Sequence, residues 1–239
     1  MNTIKFYQHP LVDQRLSLFP SGLFDTFAAM TNEKAIAEKL LQINAIKLNP
    51  TQPFTWASGW KSPIYCDNRK ALSFPFIRDF IKSEMCNVVF EQFPEGTLLA
   101  GVATAGIAWG AMVADQLKLP YIYVRPKPKE HGLGNQIEGY FEAGQKVVVI
   151  EDLVSTGKSS LQVVDVLKNA GLEVIGMVSI FTYGFPVAAK AFESYQLPYI
   201  SLTNFSVLID LAIEKGLVSA SHQEVILQWK EDPASWKGV

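Results

Sequence analysis

The fold is decided by residues 147–160, which read VVVIEDLVSTGKSS. Four β-branched apolar residues open this stretch, as in a parallel-sheet strand that is buried on both faces. Two acids, Glu151 and Asp152, follow at once, and a turn of small hydroxyl residues then leads into an amphipathic segment, Leu161 to Ala170. Strand, polar turn and helix together predict half of a βαβ unit whose turn contains candidate functional residues.

The turn after the acid pair is suited to a phosphate group. It brings Ser155, Thr156, Gly157, Ser159 and Ser160 to the start of a helix, where free N–H groups and the helix dipole favour an anion. The acid pair would repel a phosphate lying on it, so the ligand needs hydroxyls or a metal on one side and a phosphate on the other. A sugar phosphate meets both conditions. The alternative is an ordinary capped turn, which needs one hydroxyl and no acid pair.

The Gly-Lys-Ser triplet at 157–159 also resembles the end of the phosphate-binding loop of nucleoside triphosphatases. That motif requires an earlier glycine at the position that Asp152 occupies here. We therefore reject this class of protein.

Bulk composition narrows the class further. The chain has 239 residues, 49% of them hydrophobic and 18% charged, which describes one large domain or one domain with a small appendage. A net charge of −2 argues against nucleic acid as the main partner. Two cysteines, Cys66 and Cys86, are too few for a disulfide framework and are expected to be buried free thiols. No apolar run reaches the roughly 18 residues that span a bilayer, and no secretory signal is evident, so we expect a cytoplasmic protein without a membrane partner.

Residues 1–30 form an N-terminal extension of uncertain role. They are too apolar for a solvated tail, and prolines interrupt any long periodicity. Either Met30 is the true start of the protein, with residues 1–29 absent from the mature chain, or the extension is an ordered arm. Asn32 is predicted to cap a helix over 33–43.

Residues 54–69, FTWASGWKSPIYCDNR, form a second informative segment. Phe54 to Trp56 and Ile64 to Cys66, with a turn at Ser58-Gly59, predict an aromatic hairpin. From the pattern alone, such a hairpin is more often used for packing than for binding.

Further apolar segments complete the fold prediction. Strands are predicted over 97–102, 121–124, 146–150, 173–180 and 198–202, with helices between several of them and two helices near the C-terminus. This alternation predicts an α/β fold: an open parallel sheet with helices on both faces. A small N-terminal segment, which we call the hood, is expected to cap this sheet. We expect a single domain over 31–239, with the hood over about 31–72, the core over about 73–200 and C-terminal helices over about 203–232.

Two more segments are expected at the carboxyl edge of the sheet. Ala-Thr-Ala-Gly at 103–106 is either an anion-binding loop at a helix start or a tight βα turn. Tyr183 and Phe185 follow a later strand and are expected to edge the ligand pocket, because ligands of open α/β sheets sit at strand carboxyl ends.

The loop over 125–139, RPKPKEHGLGNQIEG, is a candidate lid. Pro126 and Pro128 keep its basic start extended, and Gly132 and Gly134 allow it to hinge. A loop this long inside a compact domain is usually a lid or disordered. We favour a lid over a solvated loop because positive charge, a histidine and glycines coincide.

Three of these segments resemble one family. Residues 147–157 are similar to the phosphoribosyl-diphosphate (PRPP) motif of type I phosphoribosyltransferases. Residues 54–69 resemble the N-terminal hood of the orotate phosphoribosyltransferases, and the pattern Arg-x-x-x-Lys-x-His-Gly at 125–132 resembles their catalytic loop. The likeness covers roughly residues 33–215.

The resemblance implies a reaction and the residues that perform it. The implied reaction is transfer of ribose 5-phosphate from PRPP to orotate, giving orotidine 5′-phosphate and diphosphate, a step of pyrimidine (UMP) biosynthesis. Arg125, Lys129 and His131 are the implied catalytic residues, acting on the diphosphate, and Ser155 is the implied orotate contact. The implied PRPP-binding residues are Arg125, Lys129, His131, Glu151, Asp152, Leu153, Val154, Ser155, Thr156, Gly157, Lys158 and Ser159.

The same resemblance implies a cofactor and partners. Mg²⁺ is expected to bind through the diphosphate of PRPP and not through direct protein ligands, and loop 103–106 is expected to lie on that diphosphate. A homodimer is implied, in which the lid of one subunit closes over the site of the other. The alternatives are a phosphoribosyltransferase for another base and a non-catalytic PRPP-sensing regulator.

This chain departs from some family members at positions that carry charge there. Pro126 replaces a second lysine of the catalytic loop, and Ala57 and Ala105 replace lysines of the hood and the diphosphate loop. No arginine follows the strand over 173–180, where some members bind the orotate carboxylate. Lys127 is the residue expected to restore part of the missing charge.

Overall fold

A computed structural model describes residues 25–56, 58–127 and 136–238 of the protein. The strands are β1 (Ile46–Leu48), β2 (Phe54–Thr55), β3 (Lys61–Ser62), β4 (Ile64–Cys66), β5 (Leu98–Val102), β6 (Tyr121–Val124), β7 (Ile137–Glu138), β8 (Lys146–Val154), β9 (Glu173–Thr182) and β10 (Tyr199–Asn204). The helices are α1 (Asp25–Gln42), α2 (Pro75–Gln92), α3 (Ala105–Leu117), α4 (Lys158–Asn169), α5 (Pro186–Ser194), α6 (Phe205–Glu214) and α7 (Ala220–Glu231). A short 3-10 helix covers Asn68–Ser73.

A six-stranded sheet in the order β10-β9-β8-β5-β6-β7 forms the centre of the fold. Neighbouring strands are parallel except at β7, which pairs antiparallel with β6. Each of the five strands predicted between residues 97 and 202 belongs to this sheet, so the predicted open α/β fold is confirmed. Strand β7 was not predicted, because its two residues lie inside the segment that was assigned to a loop.

Strand β8 shows why helices cover both faces of the sheet. Val147 and Val149 belong to the apolar cluster shared with α4 and α5, whereas Val148 and Ile150 belong to the cluster shared with α1, α2, α3 and α6. Each of these side chains is 0% exposed. Successive side chains of a strand point to opposite faces, so a strand covered on both sides requires an unbroken apolar run.

Helix ends follow local signals in some places and not in others. The predicted end of α4 is confirmed, because Gly171 follows the helix at φ +85°. The prediction that Asn32 caps a helix is wrong, since α1 begins at Asp25 and Asn32 lies inside it. The Asn32 Nδ2 instead donates to Glu84 Oε2 of α2 at 2.6 Å. Residues 25–31 contain no proline or glycine to stop the helix, so the local cap signal was overridden.

The hood contains two short antiparallel pairs and not the single predicted hairpin. Strand β2 pairs with β3, whereas β4 pairs with β1, with Ile64 opposite Leu48. The turn between β2 and β3 contains Gly59 at φ +86°, as the Ser-Gly signal predicted. Pro63 separates β3 from β4. Because proline has no backbone N–H group, the hydrogen bonds between β2 and β3 do not continue past Pro63, and β4 pairs with β1 instead.

Some predictions fall outside the described residues. These are the N-terminal extension up to residue 24, Ala57, and most of the candidate lid, including Lys129 and His131. The division into extension, hood, core and C-terminal helices stays a prediction. Within the ranges that the structure covers, no helix combines the length and the apolar character needed to cross a bilayer.

Candidate active site

The carboxyl ends of β5 and β8 meet the hood around a cavity of about 390 Å³. Its walls come from the end of the hood, the loop after β5, the end of β8 and the first turn of α4. The lining residues are Cys66, Asp67, Arg69, Val102, Ala103, Thr104, Ala105, Glu151, Asp152, Leu153 and Ser159. Parallel strands bring their carboxyl ends to one edge of a sheet, where ligands of open α/β folds bind.

The acid pair forms part of the cavity wall at the end of β8. Glu151 is only 5% exposed. Its Oε1 accepts from the Asp152 backbone N–H at 2.9 Å, and its Oε2 accepts from Ser160 Oγ at 3.0 Å. Burial and the nearby Asp152 carboxylate raise the pKa of Glu151 well above its usual range, and burial also raises the pKa of Asp152. Burial therefore disfavours the ionised form of these carboxyl groups, and a ligand that donates hydrogen bonds to them would favour the ionised form.

Ser160 has a different role from the one that the turn pattern indicated. Sequence reasoning grouped it with the phosphate donors, but it is 1% exposed and donates to Glu151. Its side chain lies on the face of α4 that packs against the sheet. Ser160 therefore orients the acid and does not meet a ligand in the cavity.

The turn before α4 has the features expected of a phosphate site. Helix α4 begins at Lys158, and Gly157 precedes it at φ +78°, a conformation that favours glycine. Ser155 and Thr156 are half-buried, and the Thr156 backbone N–H donates to Ser155 Oγ at 2.7 Å. The first N–H groups of a helix have no partner within the helix, so they are available to an anion at this point.

The predicted PRPP-binding residues of this segment do not all face the cavity. Those that line it are Glu151, Asp152, Leu153 and Ser159. Val154 is 1% exposed and belongs to the apolar core, so its side chain is structural. The residues between Val154 and Ser159 form the turn next to the cavity.

A second helix start lies beside the same cavity. Helix α3 begins at Ala105, after a loop in which the Ala103–Thr104 peptide is cis. The Ala103 N–H donates to the Val124 carbonyl at 3.0 Å, which ties the loop to the end of β6. A Cβ on Gly106 would lie 2.5 Å from the Ile150 carbonyl oxygen, so α3 can start this close to β8 only with glycine there. The starts of α3 and α4 thus flank the acid pair, and both favour anions.

Arg125 stands at the base of the candidate lid, directly after β6. Its backbone N–H donates to the Gln136 carbonyl at 2.9 Å, and its own carbonyl accepts from Gln136 Nε2 at 2.8 Å. Its guanidinium Nη1 lies 3.8 Å from Glu138 Oε1. The Arg125 and Gln136 contacts join the two ends of the loop. Arg125 is thereby held beside the site, but it is not among the residues that line the cavity.

Comparison with known proteins identifies the family. The model of the phosphoribosyl transferase domain matches residues 87–212. The orotate phosphoribosyltransferase of Phocaeicola vulgatus is 54% identical over 207 residues, which cover 87% of this chain and 98% of that protein. The chain belongs to the orotate phosphoribosyltransferase family.

Solved structures related to this family share the fold. The orotate phosphoribosyltransferase of Aeropyrum pernix matches with a TM-score of 0.67 and 27% identity, covering 77% of this chain and 99% of that one. The UMP synthase of Leishmania donovani matches with a TM-score of 0.69 and 25% identity over 83% of this chain. The match spans 42% of that longer protein. The family resemblance drawn from the three sequence segments is confirmed.

In this orotate phosphoribosyltransferase family member, the hood contributes charges to the cavity that sequence reasoning did not assign. Asp67 and Arg69 both line it, and Arg69 Nε donates to Asp67 Oδ1 at 2.6 Å. This hydrogen bond from Arg69 lowers the pKa of Asp67. Both residues lie in segment 54–69, and the resemblance of that segment to the family hood was the signal available in the sequence.

Tyr183 and Phe185 do not edge the ligand pocket, contrary to the prediction. Each is 2% exposed, and their rings stack at 5.4 Å between centroids with 7° between planes. Trp229 of α7 packs edge-on against both rings. The prediction was wrong because the C-terminal helix covers these side chains, and the strand pattern gives no sign of that cover.

Mg²⁺ is compatible with the donor set of the cavity. Within the described ranges, no three His, Cys, Asp or Glu side chains are grouped so as to hold a metal by themselves. The carboxylates of Asp67 and Asp152 nevertheless line the cavity. Magnesium commonly binds one or two carboxylates together with substrate phosphates and water, so these residues fit a magnesium ion that arrives with a diphosphate.

Proposed function

We propose that the protein transfers ribose 5-phosphate from PRPP to orotate, producing orotidine 5′-phosphate and diphosphate in pyrimidine biosynthesis. The observation that carries the proposal is a carboxylate pair, with Glu151 buried and Asp152 half-buried, flanked by two helix starts around one cavity. Ribose hydroxyls can donate hydrogen bonds to the carboxylates, and phosphate groups can accept hydrogen bonds from the N–H groups at the helix starts. The name orotate phosphoribosyltransferase, borne by relatives that share about half of the sequence, supports orotate as the acceptor.

The geometry suggests how PRPP would lie. The ribose 2- and 3-hydroxyls donate to Glu151 and Asp152, which face the cavity from the end of β8. The 5-phosphate accepts hydrogen bonds from the turn over 153–159. The diphosphate lies at loop 103–106, where the start of α3 favours negative charge. Ser155, in the turn, contacts orotate.

Bond cleavage at C1 of the ribose separates charge. Positive charge develops on C1 and on the ring oxygen, near the acid pair, while negative charge builds on the departing diphosphate. Arg125, Lys129 and His131 stabilise the negative charge. A preorganised contact of this kind typically contributes about 3–4 kcal/mol to lowering the barrier. Bound Mg²⁺ neutralises part of the diphosphate charge.

The loop that begins at Arg125 serves as a lid in this proposal. Covering the site excludes water, which would otherwise hydrolyse PRPP. We also propose a homodimer, in which each lid serves the site of the other subunit. The expected cytoplasmic location stays a prediction.

Loss of orotate absorbance on adding PRPP and Mg²⁺ tests the proposed reaction. Orotate should be consumed only when PRPP is present, and the isosteric Glu151→Gln variant serves as an inactive control. Adenine, hypoxanthine and uracil are assayed in parallel. If one of these bases is consumed and orotate is not, the proposed acceptor is wrong. If PRPP binds but no base is consumed, the protein is a PRPP-sensing regulator and not an enzyme.

A further inference from the structure

Strand β8 extends beyond its neighbour β5 at the acid pair. The pairing of β8 with β5 ends where Ile150 lies opposite Gly101, whereas β9 pairs with β8 as far as Val154. Within the described residues, positions 151–154 therefore lack a strand partner on the β5 side. The backbone there needs hydrogen bonds from elsewhere, because a buried carbonyl without a partner costs about 1–3 kcal/mol.

Asn68 supplies one of these hydrogen bonds. Its Nδ2 donates to the Asp152 carbonyl at 2.7 Å, joining residues that lie 84 positions apart in sequence. Asn68 is 0% exposed, and its Oδ1 accepts from Cys66 Sγ at 3.2 Å. Burial raises the pKa of the Cys66 thiol, so the thiol retains the proton that it donates. Both ends of the Asn68 amide are thus engaged, which fixes its orientation.

The residues on either side of Asn68 belong to the cavity. Asp67 and Arg69 line it together with the acid pair. The Asp67 backbone N–H donates to the Ala45 carbonyl at 2.8 Å, which anchors the segment within the hood. A buried amide therefore links the segment that carries the hood's charged residues to the backbone of the acid pair.

We infer that Asn68 is a positioning residue for the sugar-phosphate donor, holding the Asp152 backbone so that the acid pair and the hood residues face one ribose. The inference rests on the proposed function, since it takes PRPP as the ligand. Among the described residues that line the cavity, Asn68 does not appear, so it acts through Asp152 and not by contact.

The test is the affinity for PRPP with Mg²⁺, measured by calorimetry on the full-length chain. Asn68→Ala removes the hydrogen bond to Asp152. Asn204→Ala is the matched control, because Asn204 caps α6 by accepting from two backbone N–H groups and does not line the cavity. We expect Asn68→Ala to weaken PRPP binding about tenfold, the effect of one buried hydrogen bond. Asn204→Ala should lower the melting temperature and leave PRPP affinity within about twofold.

Asn68→Asp keeps the side-chain shape and provides a second measurement should Asn68→Ala fail to fold. Its ionised carboxylate would face the Asp152 carbonyl with an oxygen and no hydrogen, so PRPP binding should be weakened at pH 8. Its protonated form can donate again, so its affinity relative to wild type should recover as the pH falls toward about 5. A purely structural defect would not recover in this way.

Each outcome separates the inference from the proposed function. Equal PRPP affinity for wild type and Asn68→Ala overturns the inference, as does equal weakening by Asn204→Ala or a pH-independent Asn68→Asp defect. A wild type that binds PRPP but does not use orotate overturns the proposed acceptor, and the PRPP measurements still decide the role of Asn68. A wild type that binds no PRPP overturns both.

Discussion

Glu151→Gln is expected to stabilise the protein while removing its activity. The Glu151 carboxyl is 5% exposed and accepts one hydrogen bond on each oxygen. Glutamine has the same shape and retains both contacts. Its Oε1 accepts from the Asp152 N–H, and its Nε2 donates to Ser160 Oγ, since a hydroxyl can accept as well as donate. The substitution therefore removes a group that ionises without creating a cavity, and both polar atoms of the new side chain keep a partner.

The size of the stability change depends on pH. Burial, followed by the negative charge of Asp152, raises the pKa of Glu151 in the folded state above its usual 4.5. A carboxyl with a raised folded-state pKa contributes stability that is fully present below the unfolded pKa and is lost as pH rises through the folded pKa. A tenfold difference in the acid dissociation constant between the unfolded and folded states corresponds to about 1.4 kcal/mol. Glutamine does not ionise, so it avoids this loss at high pH.

The expected readout is a pH-dependent difference in melting temperature. For a chain of this length, 1 kcal/mol shifts Tm by about 2–4 °C. Glu151→Gln should therefore melt about 3–6 °C above wild type at pH 8 for each tenfold difference in that dissociation constant. The difference should become small below about pH 4, where the wild-type carboxyl is mostly protonated in both the unfolded and the folded state.

Thermal melts followed by circular dichroism at pH 4 and pH 8 measure this difference. Glu193→Gln is the matched control, because Glu193 is exposed on α5, and it should leave Tm unchanged at both values. PRPP binding by Glu151→Gln should weaken about tenfold or more, since a hydrogen bond to a charged group contributes about 1.5–3 kcal/mol. The reasoning fails if Glu151→Gln melts below wild type at pH 8, or if it gains the same amount at both pH values.

Three further predictions concern the lid, the C-terminal cover and the start of α3. Lys129→Ala is expected to reduce turnover about 100-fold or more with an unchanged Tm. A wild-type rate would mean that the loop takes no part in the reaction. Trp229→Ala removes a fully buried indole whose Nε1 donates to the Lys61 carbonyl at 3.0 Å. It should lower the free energy of unfolding in urea by about 3–5 kcal/mol, and a loss below about 1 kcal/mol would contradict the role of α7 as a cover. Gly106→Ala places a Cβ 2.5 Å from the Ile150 carbonyl oxygen, so the α3 start must shift. Calorimetry should then show weaker diphosphate binding, and an unchanged affinity would place the diphosphate elsewhere.

The central sheet could be predicted because its signals are local. The β-branched run at 147–150 indicates burial on both faces, and the two apolar clusters that share it confirm that indication. The end of α4 could be predicted in the same way, since Gly171 follows the helix with a positive φ. The acid pair directly follows the predicted strand over 146–150, so its place at the carboxyl end of the sheet was also predicted, although β8 continues through the pair to Val154.

Contacts between distant segments could not be predicted from local pattern. The pairing of Ile64 with Leu48 depends on which strand lies nearby in three dimensions after Pro63 interrupts the hairpin. The cover of Tyr183 by Trp229 joins a strand end to the last helix. Nothing in the sequence indicates that Asn68 forms a hydrogen bond with Asp152, because an asparagine after a strand ordinarily stabilises a turn.

Three parts of the chain hold the acid pair in place without a ligand. Asn68 of the hood binds the Asp152 carbonyl, the Asp152 N–H binds Glu151, and Ser160 of α4 binds the other Glu151 oxygen. These hydrogen bonds contribute little stability compared with the apolar core. They surround carboxyl groups whose burial disfavours the charged form. Their common effect is to fix the orientation of the carboxyl groups before PRPP binds. Groups that are already oriented lose less conformational entropy on binding and reorganise less during the reaction. A buried acid that is expected to lower stability at neutral pH is thus consistent with a site built to bind the ribose of PRPP.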